Sequence, residues 1–348
     1  MTKQPTKRRR WPKVLLGILA ALLAVAVLLG GVYAWLYNAG RQALFSKNDP
    51  ISAPTSLIEM DDNDQVIYNG ETYQYNDKVT AILFMGVDKS EIQQNTHYGN
   101  NGQADSLFLA AIDTATGAIR IIPLSRESMV DVNLYAADGT YLGVEKSQLC
   151  LAYAYGNTAE KSCENVVRSV KRLLYGVPIA SYIAIDLEGI QAMTDAIGGL
   201  RVTAMEDISL PPHLDVKKGQ TVHLTGKAAQ LYIQYRGQDV QANNRRMQRQ
   251  KQFLGAFISS AGSSLKKDFT KLTTYYNTAK PYVVSDLTIS QITYLASCAL
   301  GGNSWQAPTY IPITGNTVMG EKYVEFYADP TAAYEAVLQA FYTKTSGN

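Results

Sequence analysis

The chain has 348 residues, 18% of them charged, with 32 basic and 30 acidic side chains and a formal net charge of +2. This near balance argues against a uniformly basic nucleic-acid-binding protein, and no nucleic-acid partner is expected. The three cysteines and three histidines form no CxxC motif and no Cys/His cluster, which argues against a zinc or redox centre.

The N-terminal segment predicts a single-pass membrane anchor. Val14–Tyr37 is an uncharged run of 24 residues, and a helix of that length reaches about 36 Å, enough to cross a hydrocarbon core of roughly 30 Å. Residues 1–13 hold six basic and no acidic side chains, so this tail is expected in the cytoplasm and everything after Tyr37 outside the cell. A cleaved signal peptide or a twin-arginine signal is an alternative, but the run is long and ends in bulky aromatic residues.

Residues 38–77 are predicted to form an extracellular stalk with one hairpin, QVIYNGETYQY, whose turn is Asn-Gly. Without the six basic residues of the tail, the chain has 26 basic and 30 acidic residues, a net charge of −4, so a cluster of arginines outside the cell is a local feature. In that compartment Cys150 and Cys163 either form a disulfide or are buried thiols, with Cys298 left as a free buried thiol.

Residues 78–345 are predicted to form one α/β domain, because short apolar strands alternate with helices. The predicted strands are Thr80–Gly86, Ser106–Asp113, Ala118–Pro123 and Ser181–Asp186. The predicted helices are Glu164–Leu174, Asp186–Ile197, Lys227–Tyr235, a helix from Asn243 or Asn244 to about Ala261, and Ile289–Leu300. Gly198 and Gly199 are the predicted C-cap of the second helix, and Thr225 is the predicted N-cap of the third. Asn243 or Asn244 caps the fourth helix, and Thr288 with Gln291 forms a capping box at the fifth. This alternation predicts a sheet layered between helices.

The segment NNRRMQRQKQF, residues 243–253, predicts an anion site. Arg246, Arg249 and Gln250 lie at positions i, i+3 and i+4 of the predicted helix, so they form one polar patch near the helix N-terminus, where free N–H groups favour anions. Arg236 ends the preceding helix, and a short loop can return it to the same place. Arginine binds phosphate oxygens in pairs. On its own, however, this segment would be interpreted as a solvated basic helix face.

Polar residues at three strand ends strengthen the interpretation as an anion site. Asp88 follows the first predicted strand, Asp105 opens the second, and Arg126 follows the third. Carboxylates at neighbouring strand ends usually mark a ligand crevice in α/β sheets, and Mg²⁺ is typically held by one or two acids plus phosphate oxygens. Each Asp alone is a common turn former or cap. Together with the arginines, the acids predict a diphosphate site with Mg²⁺ as cofactor.

The motifs GVD, ADS, PLSRES, LAYAYG, DAIGG, HLTGKAAQLYIQYR and RRMQRQ, in this order behind one N-terminal span, resemble those of the LytR–CpsA–Psr family over roughly residues 79–260. The resemblance implies a membrane-anchored bacterial enzyme with a three-layer α/β/α fold, a central mixed sheet and an apolar lipid cavity. It also implies the Mg²⁺-dependent transfer of a glycopolymer, such as teichoic acid or capsule, from a polyprenyl-pyrophosphate carrier onto peptidoglycan.

By the same resemblance, Asp88 and Asp105 would hold Mg²⁺, and Arg126, Asp105 and Arg236 would be catalytic. Five side chains would bind the pyrophosphate: Arg126, Arg236, Arg246, Arg249 and Gln250.

The sequence departs from the family pattern near the predicted site. The departures are Gln234 in place of the first arginine of an Arg-x-Arg pair, Asn243 in place of an aspartate, and Cys150-Leu151 in place of Asn-His. Lys146 is a candidate compensating cation. Two rival functions follow: a hydrolase that cleaves polyprenyl pyrophosphate with water at the same site, and a non-catalytic anchor or regulator that binds the lipid-linked polymer.

Overall fold

The computed structural model describes residues 11–45, 59–60, 65–92, 98–99, 101–237, 242–301 and 307–345, with side chains described from residue 25 onward except at 59–60 and 242–244. The α-helices in this part of the chain are α1 Trp11–Phe45, α2 Ala159–Leu173, α3 Leu187–Ala196, α4 Gly226–Gln234, α5 Ala242–Lys267, α6 Lys271–Ala279, α7 Ile289–Gly301 and α8 Pro330–Phe341. Two 3₁₀ helices cover Leu149–Tyr155 and Lys280–Tyr282.

The strands are β1 Glu59–Met60, β2 Gln65–Tyr68, β3 Glu71–Tyr75, β4 Val79–Val87, β5 Ala104–Asp113, β6 Ile119–Leu124, β7 Met129–Tyr135, β8 Tyr141–Gln148, β9 Ser181–Ile185, β10 Leu200–Thr203, β11 Ile208–Leu210, β12 Leu214–Val216, β13 Thr221–Leu224, β14 Val283–Ser285, β15 Thr309–Tyr310, β16 Gly315–Met319, β17 Val324–Ala328 and β18 Tyr342–Thr345. The four strands predicted from apolar runs correspond to β4, β5, β6 and β9.

The central sheet has six strands in the order β14-β9-β4-β5-β6-β15. β4 pairs antiparallel with β5 and parallel with β9, while β6 pairs antiparallel with β5 and parallel with β15. The predicted central mixed sheet is therefore confirmed.

Successive residues of β4 point to opposite faces of this sheet, and each face is covered by helices. Leu83 and Met85 join a buried cluster that includes Val166 of α2 and Phe341 of α8. Ile82 joins a second buried cluster with residues of α1 and α7. The sheet thus lies between two helical layers, as the three-layer prediction requires.

The starts of α3, α4 and α7 have capping residues, and those of α4 and α7 were predicted. The carboxylate of Asp186 accepts the Gly189 N–H of α3 at 2.8 Å. Thr288 and Gln291 form the reciprocal capping box at α7, with Gln291 Oε1 accepting the Thr288 N–H at 2.8 Å. Thr225 occupies the N-cap position of α4 without a side-chain hydrogen bond.

Helix α5 differs from its prediction at both ends. It begins at Ala242, so Asn243 and Asn244 lie inside the helix and the prediction that either caps it is wrong. It also continues to Lys267, beyond the expected end at Ala261. Met247, expected in the core face, is 38% exposed.

The hairpin predicted within the stalk belongs to the folded domain. β2 and β3 pair across Asn69 and Gly70, whose positive φ values of 52° and 76° fit the tight turn that Asn-Gly favours. β3 also pairs antiparallel with β18 near the C-terminus of the chain. The prediction that residues 65–75 form part of a stalk is therefore wrong. Residues 46–58 and 61–64 of that segment lie outside the described part.

The end of α1 packs against the domain. Leu44 is fully buried, and the rings of Tyr37 and Tyr294 meet edge to face at 4.9 Å. A Cβ at Gly40 would overlap the carbonyl oxygen of Ser290 in α7, so glycine permits this close approach.

The predicted transmembrane segment, residues 14–37, lies within α1. Among the described residues, no helix has the length and apolar character expected of a membrane span. The single-pass anchor and its orientation stay predictions.

Candidate functional site: a cationic cleft beside an apolar cavity

A bulge in β5 presents Asp105 to a cleft at one end of the sheet. Gly86 of β4 pairs with Ser106, and Val87 pairs with Ala104, so Asp105 between them has no partner in β4. Such a bulge bends the strand and redirects a side chain. Asp88 follows β4 directly and faces the same cleft. The structure therefore brings the two predicted metal-binding acids together.

Arg126 meets this cleft from the end of β6. Its Nη1 lies 2.8 Å from Asp105 Oδ1, and both side chains are about one-fifth exposed. Its Nη2 donates to Gln103 Oε1 and contacts the sulfur of Cys150 at 3.4 Å. The predicted association of Arg126 with Asp105 is thus present in the structure.

Helix α5 contributes Arg246 and Gln250 to the same cleft. They lie one helical turn apart and line a cavity of about 120 Å³ with Asp88, Asp105 and Gln234. Arg246 is only 8% exposed. Gln234 stands where an arginine was expected from the family pattern, so the cleft holds a neutral side chain there.

The electrostatics of the cleft link residues from distant parts of the chain. Burial raises the pKa of Asp105, while the positive charges of Arg126 and Arg246 oppose this rise. Burial lowers the pKa of Arg246, and the like charges of Arg126 and Arg236 lower it further. Arg236 is exposed, yet its charge acts on both Asp105 and Arg246. This group of charges would be stabilised by an anion bound among the arginines.

Arg249 does not face the cleft, and its predicted contact with pyrophosphate is replaced by a structural role. Its side chain is 1% exposed, and its Nε donates to the carbonyl of Tyr232 at 2.8 Å. Its Nη atoms donate to Glu206 and to the carbonyl of Tyr235. All three nitrogens of the guanidinium therefore have internal acceptors, which an anion would have to displace.

Lys146 is also absent from the cleft. It is exposed on the β7–β8 hairpin, where its Nζ lies 2.9 Å from Asp131 Oδ1. The idea that it compensates for the missing arginine is therefore wrong.

Cys150, Cys163 and Cys298 are all free thiols. Cys150 and Cys163 are fully buried, whereas Cys298 is half-buried. The disulfide interpretation is not supported, and Cys150 instead lies behind Arg126.

A larger apolar cavity of about 570 Å³ adjoins the cleft. It lies between the sheet and helices α3, α5 and α6, and its walls include Phe84, Ile183, Phe253 and Phe257. Ile190 of α3 lines both the cavity and the cleft. An apolar chain and a charged group joined together would therefore find complementary surfaces on either side of Ile190.

Asp88 and Asp105 fit a hard cation only in part. Across the described residues, no group of three or more His, Cys, Asp or Glu side chains could hold a metal ion. Two carboxylates facing one cleft do match Mg²⁺, which commonly takes one or two acids together with phosphate oxygens and water. The donor set is thus suited to a cation that arrives with a phosphate ligand.

Some residues of the site were not identified from the sequence. Gln103 and Ile190 lie outside the motifs identified in the sequence. A usable signal existed only for Gln103, which precedes Asp105 by two residues on the same segment.

A model of the LytR_cpsA_psr family matches residues 44–339 of the chain. Among the relatives is the polyisoprenyl-teichoic acid–peptidoglycan teichoic acid transferase TagU of Oceanobacillus iheyensis, 27% identical over 261 residues, which cover 75% of this chain and 73% of the relative. The transferase of the same description named TagV, from Bacillus subtilis, is 26% identical over 268 residues, which cover 75% of this chain and 63% of TagV.

Solved structures share the fold. The crystal structure of B. subtilis TagV superposes with a TM-score of 0.61 at 24% identity, covering 75% of this chain and 96% of that one. A structure of TagT bound to LI-WTA superposes with a TM-score of 0.55 at 17% identity, covering 75% and 88%. These structures share the α/β architecture described above. The family model matches most of the 348 residues of the chain, and the chain therefore belongs to the LytR–CpsA–Psr family.

Proposed function

We propose that this protein transfers a glycopolymer, such as teichoic acid or capsule, from a polyprenyl-pyrophosphate carrier onto peptidoglycan. The observation that carries the proposal is the junction at Ile190, where a cleft lined by Arg246, Asp88 and Asp105 meets an apolar cavity of about 570 Å³. Relatives named as polyisoprenyl-teichoic acid–peptidoglycan teichoic acid transferases support the substrate class.

The two parts of such a carrier match the two parts of the junction. The polyprenyl chain would occupy the apolar cavity, where burial contributes about 25 cal/mol per Å² of apolar surface removed from water. The pyrophosphate would lie in the cleft, where Arg246 and Gln250 stand on one helix and Arg126 approaches from the sheet. Arg236 adds a positive charge at the exposed side.

In the proposed reaction, a hydroxyl oxygen of a peptidoglycan sugar attacks the phosphorus on the glycan side of the pyrophosphate. A new P–O bond forms, the bond from that phosphorus to the bridging oxygen breaks, and polyprenyl phosphate leaves with the electron pair. The hydroxyl proton passes to Asp88 or Asp105, at a carboxylate oxygen that does not hold a metal ion. Arg126, Arg236 and Arg246 stabilise the charge that develops on the phosphate oxygens, usually the largest contribution in phosphoryl transfer.

Asp88 and Asp105 would hold a Mg²⁺ ion together with the pyrophosphate. When bound, this ion would neutralise part of the phosphate charge. Arg126 and the metal ion would then both contact the carboxylate of Asp105. Because Arg126 would also bind the pyrophosphate, the affinity for the metal ion should depend on whether the substrate is bound.

The proposal places the reaction at the outer surface of the cell membrane, where lipid carrier and peptidoglycan are both accessible. Its support is the uncharged run Val14–Tyr37 behind six basic residues. Since the end of α1 packs on α7, an anchor in α1 would be joined to the domain without a flexible connection at that point.

The test is a transfer assay with lipid-linked glycan and peptidoglycan, comparing wild type with Arg126→Ala. We expect the variant to be about 100- to 1,000-fold slower, because the arginine acts on developing phosphate charge. Arg172→Ala, at an exposed arginine bonded to Asp131 and Asn133, is the matched control and should retain full rate. Equal rates for wild type and Arg126→Ala would contradict the proposal.

Two further outcomes of the same assay separate the rival functions. Release of free glycan phosphate without an acceptor would show a hydrolase. Tight binding of the lipid-linked glycan with no turnover in the presence of Mg²⁺ would show a binding protein that anchors or regulates the polymer.

A further inference from the structure

Gln103 makes hydrogen bonds to two residues of the candidate site, Asp88 and Arg126. Its backbone carbonyl accepts the Asp88 N–H at 3.1 Å. Its side-chain Oε1 accepts Nη2 of Arg126 at 2.5 Å. Gln103 therefore contacts the backbone of Asp88 and the guanidinium of Arg126, which in turn contacts Asp105.

Cys150 packs against the same guanidinium. Its sulfur lies 3.4 Å from Arg126 Nη2 and 3.8 Å from Gln103 Oε1, and its backbone N–H donates to the Arg126 carbonyl at 3.0 Å. The side chain is fully buried, and this burial raises the pKa of the thiol above its ordinary value. At neutral pH the group is therefore an uncharged thiol and not a nucleophile.

The contacts of Arg126 involve both terminal nitrogens of its guanidinium. Nη1 lies against Asp105, and Nη2 lies against Gln103 and Cys150. Nε is buried and has no hydrogen-bond partner among the described residues. A buried donor without an acceptor costs free energy, so the contacts of the two terminal nitrogens must hold the guanidinium in this orientation.

We propose that Gln103 is a positioning residue that fixes the guanidinium of Arg126 relative to Asp88, with the buried Cys150 packed against both side chains. The inference rests on the proposed function, because the orientation of Arg126 matters for activity only if Arg126 binds the pyrophosphate. Gln103 itself need not touch the pyrophosphate, since its contacts run to Arg126 and to the backbone of Asp88. Removal of its side-chain acceptor should therefore act only through Arg126.

The first experiment observes the guanidinium directly in the full-length protein labelled with ¹⁵N-arginine. The side-chain N–H signals of Arg126 are assigned by their loss in Arg126→Lys. Gln103→Met removes the acceptor at nearly constant size, and we expect faster rotation of the Arg126 guanidinium. Gln103→Glu retains an acceptor oxygen and should restore slow rotation. Unchanged rotation in Gln103→Met would overturn the inference.

A matched control separates this effect from general loosening of the fold. Gln252 accepts from the Tyr232 hydroxyl and donates to the Thr203 carbonyl, and it makes no contact with Arg126 among its hydrogen bonds. Gln252→Met should therefore leave the Arg126 signals unchanged. If Gln103→Met does not fold, Gln103→Asn replaces it, because the shorter amide cannot keep both the backbone position and the contact with Nη2. A change of equal size in Gln252→Met would count against a specific role of Gln103.

The second experiment measures the affinity for geranylgeranyl pyrophosphate in a double-mutant cycle. Gln103→Met should weaken binding about fivefold when Arg126 is present, the effect of one lost hydrogen bond, and less than about twofold when Arg126→Lys is present. Equal losses in both backgrounds would overturn the inference. Absence of binding by the wild type would contradict the proposed function instead, while the signals of Arg126 would still decide whether Gln103 orients it.

Discussion

Arg246 and Arg249 lie three residues apart on α5 and are both buried, yet their surroundings differ. Arg249 donates to Glu206 and to the carbonyls of Tyr232 and Tyr235. Arg246 faces the cleft, where Gln250 lies one turn away. The comparison shows that spacing along a helix does not decide whether an arginine serves a ligand or the fold, because the acceptors come from other segments.

The largest expected effect is on stability, at Arg249. Arg249→Met should lower the free energy of unfolding by about 3–5 kcal/mol, because Glu206 and two carbonyls lose a buried partner. Denaturant unfolding measures the change, and activity per folded molecule should remain. The double variant with Glu206→Leu should recover much of the loss. A stable Arg249→Met protein that no longer binds lipid pyrophosphate would show that Arg249, like Arg246, serves the ligand and not the fold.

The next effect is on activity, at Arg246. Arg246→Gln should slow glycan transfer by about 100-fold, since a charged donor to the pyrophosphate is lost. Its unfolding free energy should change less than that of Arg249→Met, because burial and the like charges of Arg126 and Arg236 lower the pKa of Arg246, so the folded protein disfavours this charge. A variant that is fully active and strongly destabilised would show that Arg246, like Arg249, serves the fold.

Asp105 predicts a specific dependence of stability on pH. Its pKa is raised in the folded protein, mainly by burial. The contribution of this carboxyl to stability is therefore present below its unfolded pKa of about 3.9 and is lost as the pH rises through the folded pKa. Asp105→Asn removes this loss, so the Tm of the variant minus that of the wild type should increase as the pH rises from acidic to neutral. A difference that decreases over this range would contradict the assignment.

The smallest effect is expected at Arg245, the residue next to Arg246. Its Nε lies 2.9 Å from Glu206 Oε2, but the arginine is 31% exposed. Arg245→Gln should therefore change the free energy of unfolding by less than about 1 kcal/mol and leave transfer unchanged. A loss as large as that of Arg249→Met would show that Glu206 depends equally on both arginines.

Local patterns predicted the elements whose stabilising contacts are local. The capping box of Thr288 and Gln291 involves neighbours three residues apart, and it is present. The apolar runs that became β4, β5 and β6 also predicted the central sheet. Proximity of Asp88, Asp105 and Arg126 was predicted because strand ends meet at one edge of a sheet.

Features that depend on distant partners were not predicted. The pairing of Arg249 with Glu206 spans 43 residues, and the pairing of β3 with β18 joins the two ends of the domain. Lys146 is the predicted compensating cation, but it pairs across the hairpin with Asp131. Sequence spacing fixes which side chains share a face of one element, while the partner of that face is set by tertiary packing.

The central claim is that one ligand occupies the cleft and the apolar cavity together, and an affinity comparison tests it most directly. Geranylgeranyl pyrophosphate, geranylgeraniol and inorganic pyrophosphate would each be titrated into the full-length protein. We expect the first to bind at least about 100-fold more tightly than either part, because linked groups bind with a high effective concentration. Ile190→Trp, at the junction of the two sites, should remove most of this advantage. Equal affinity for pyrophosphate with and without its apolar chain would contradict the claim.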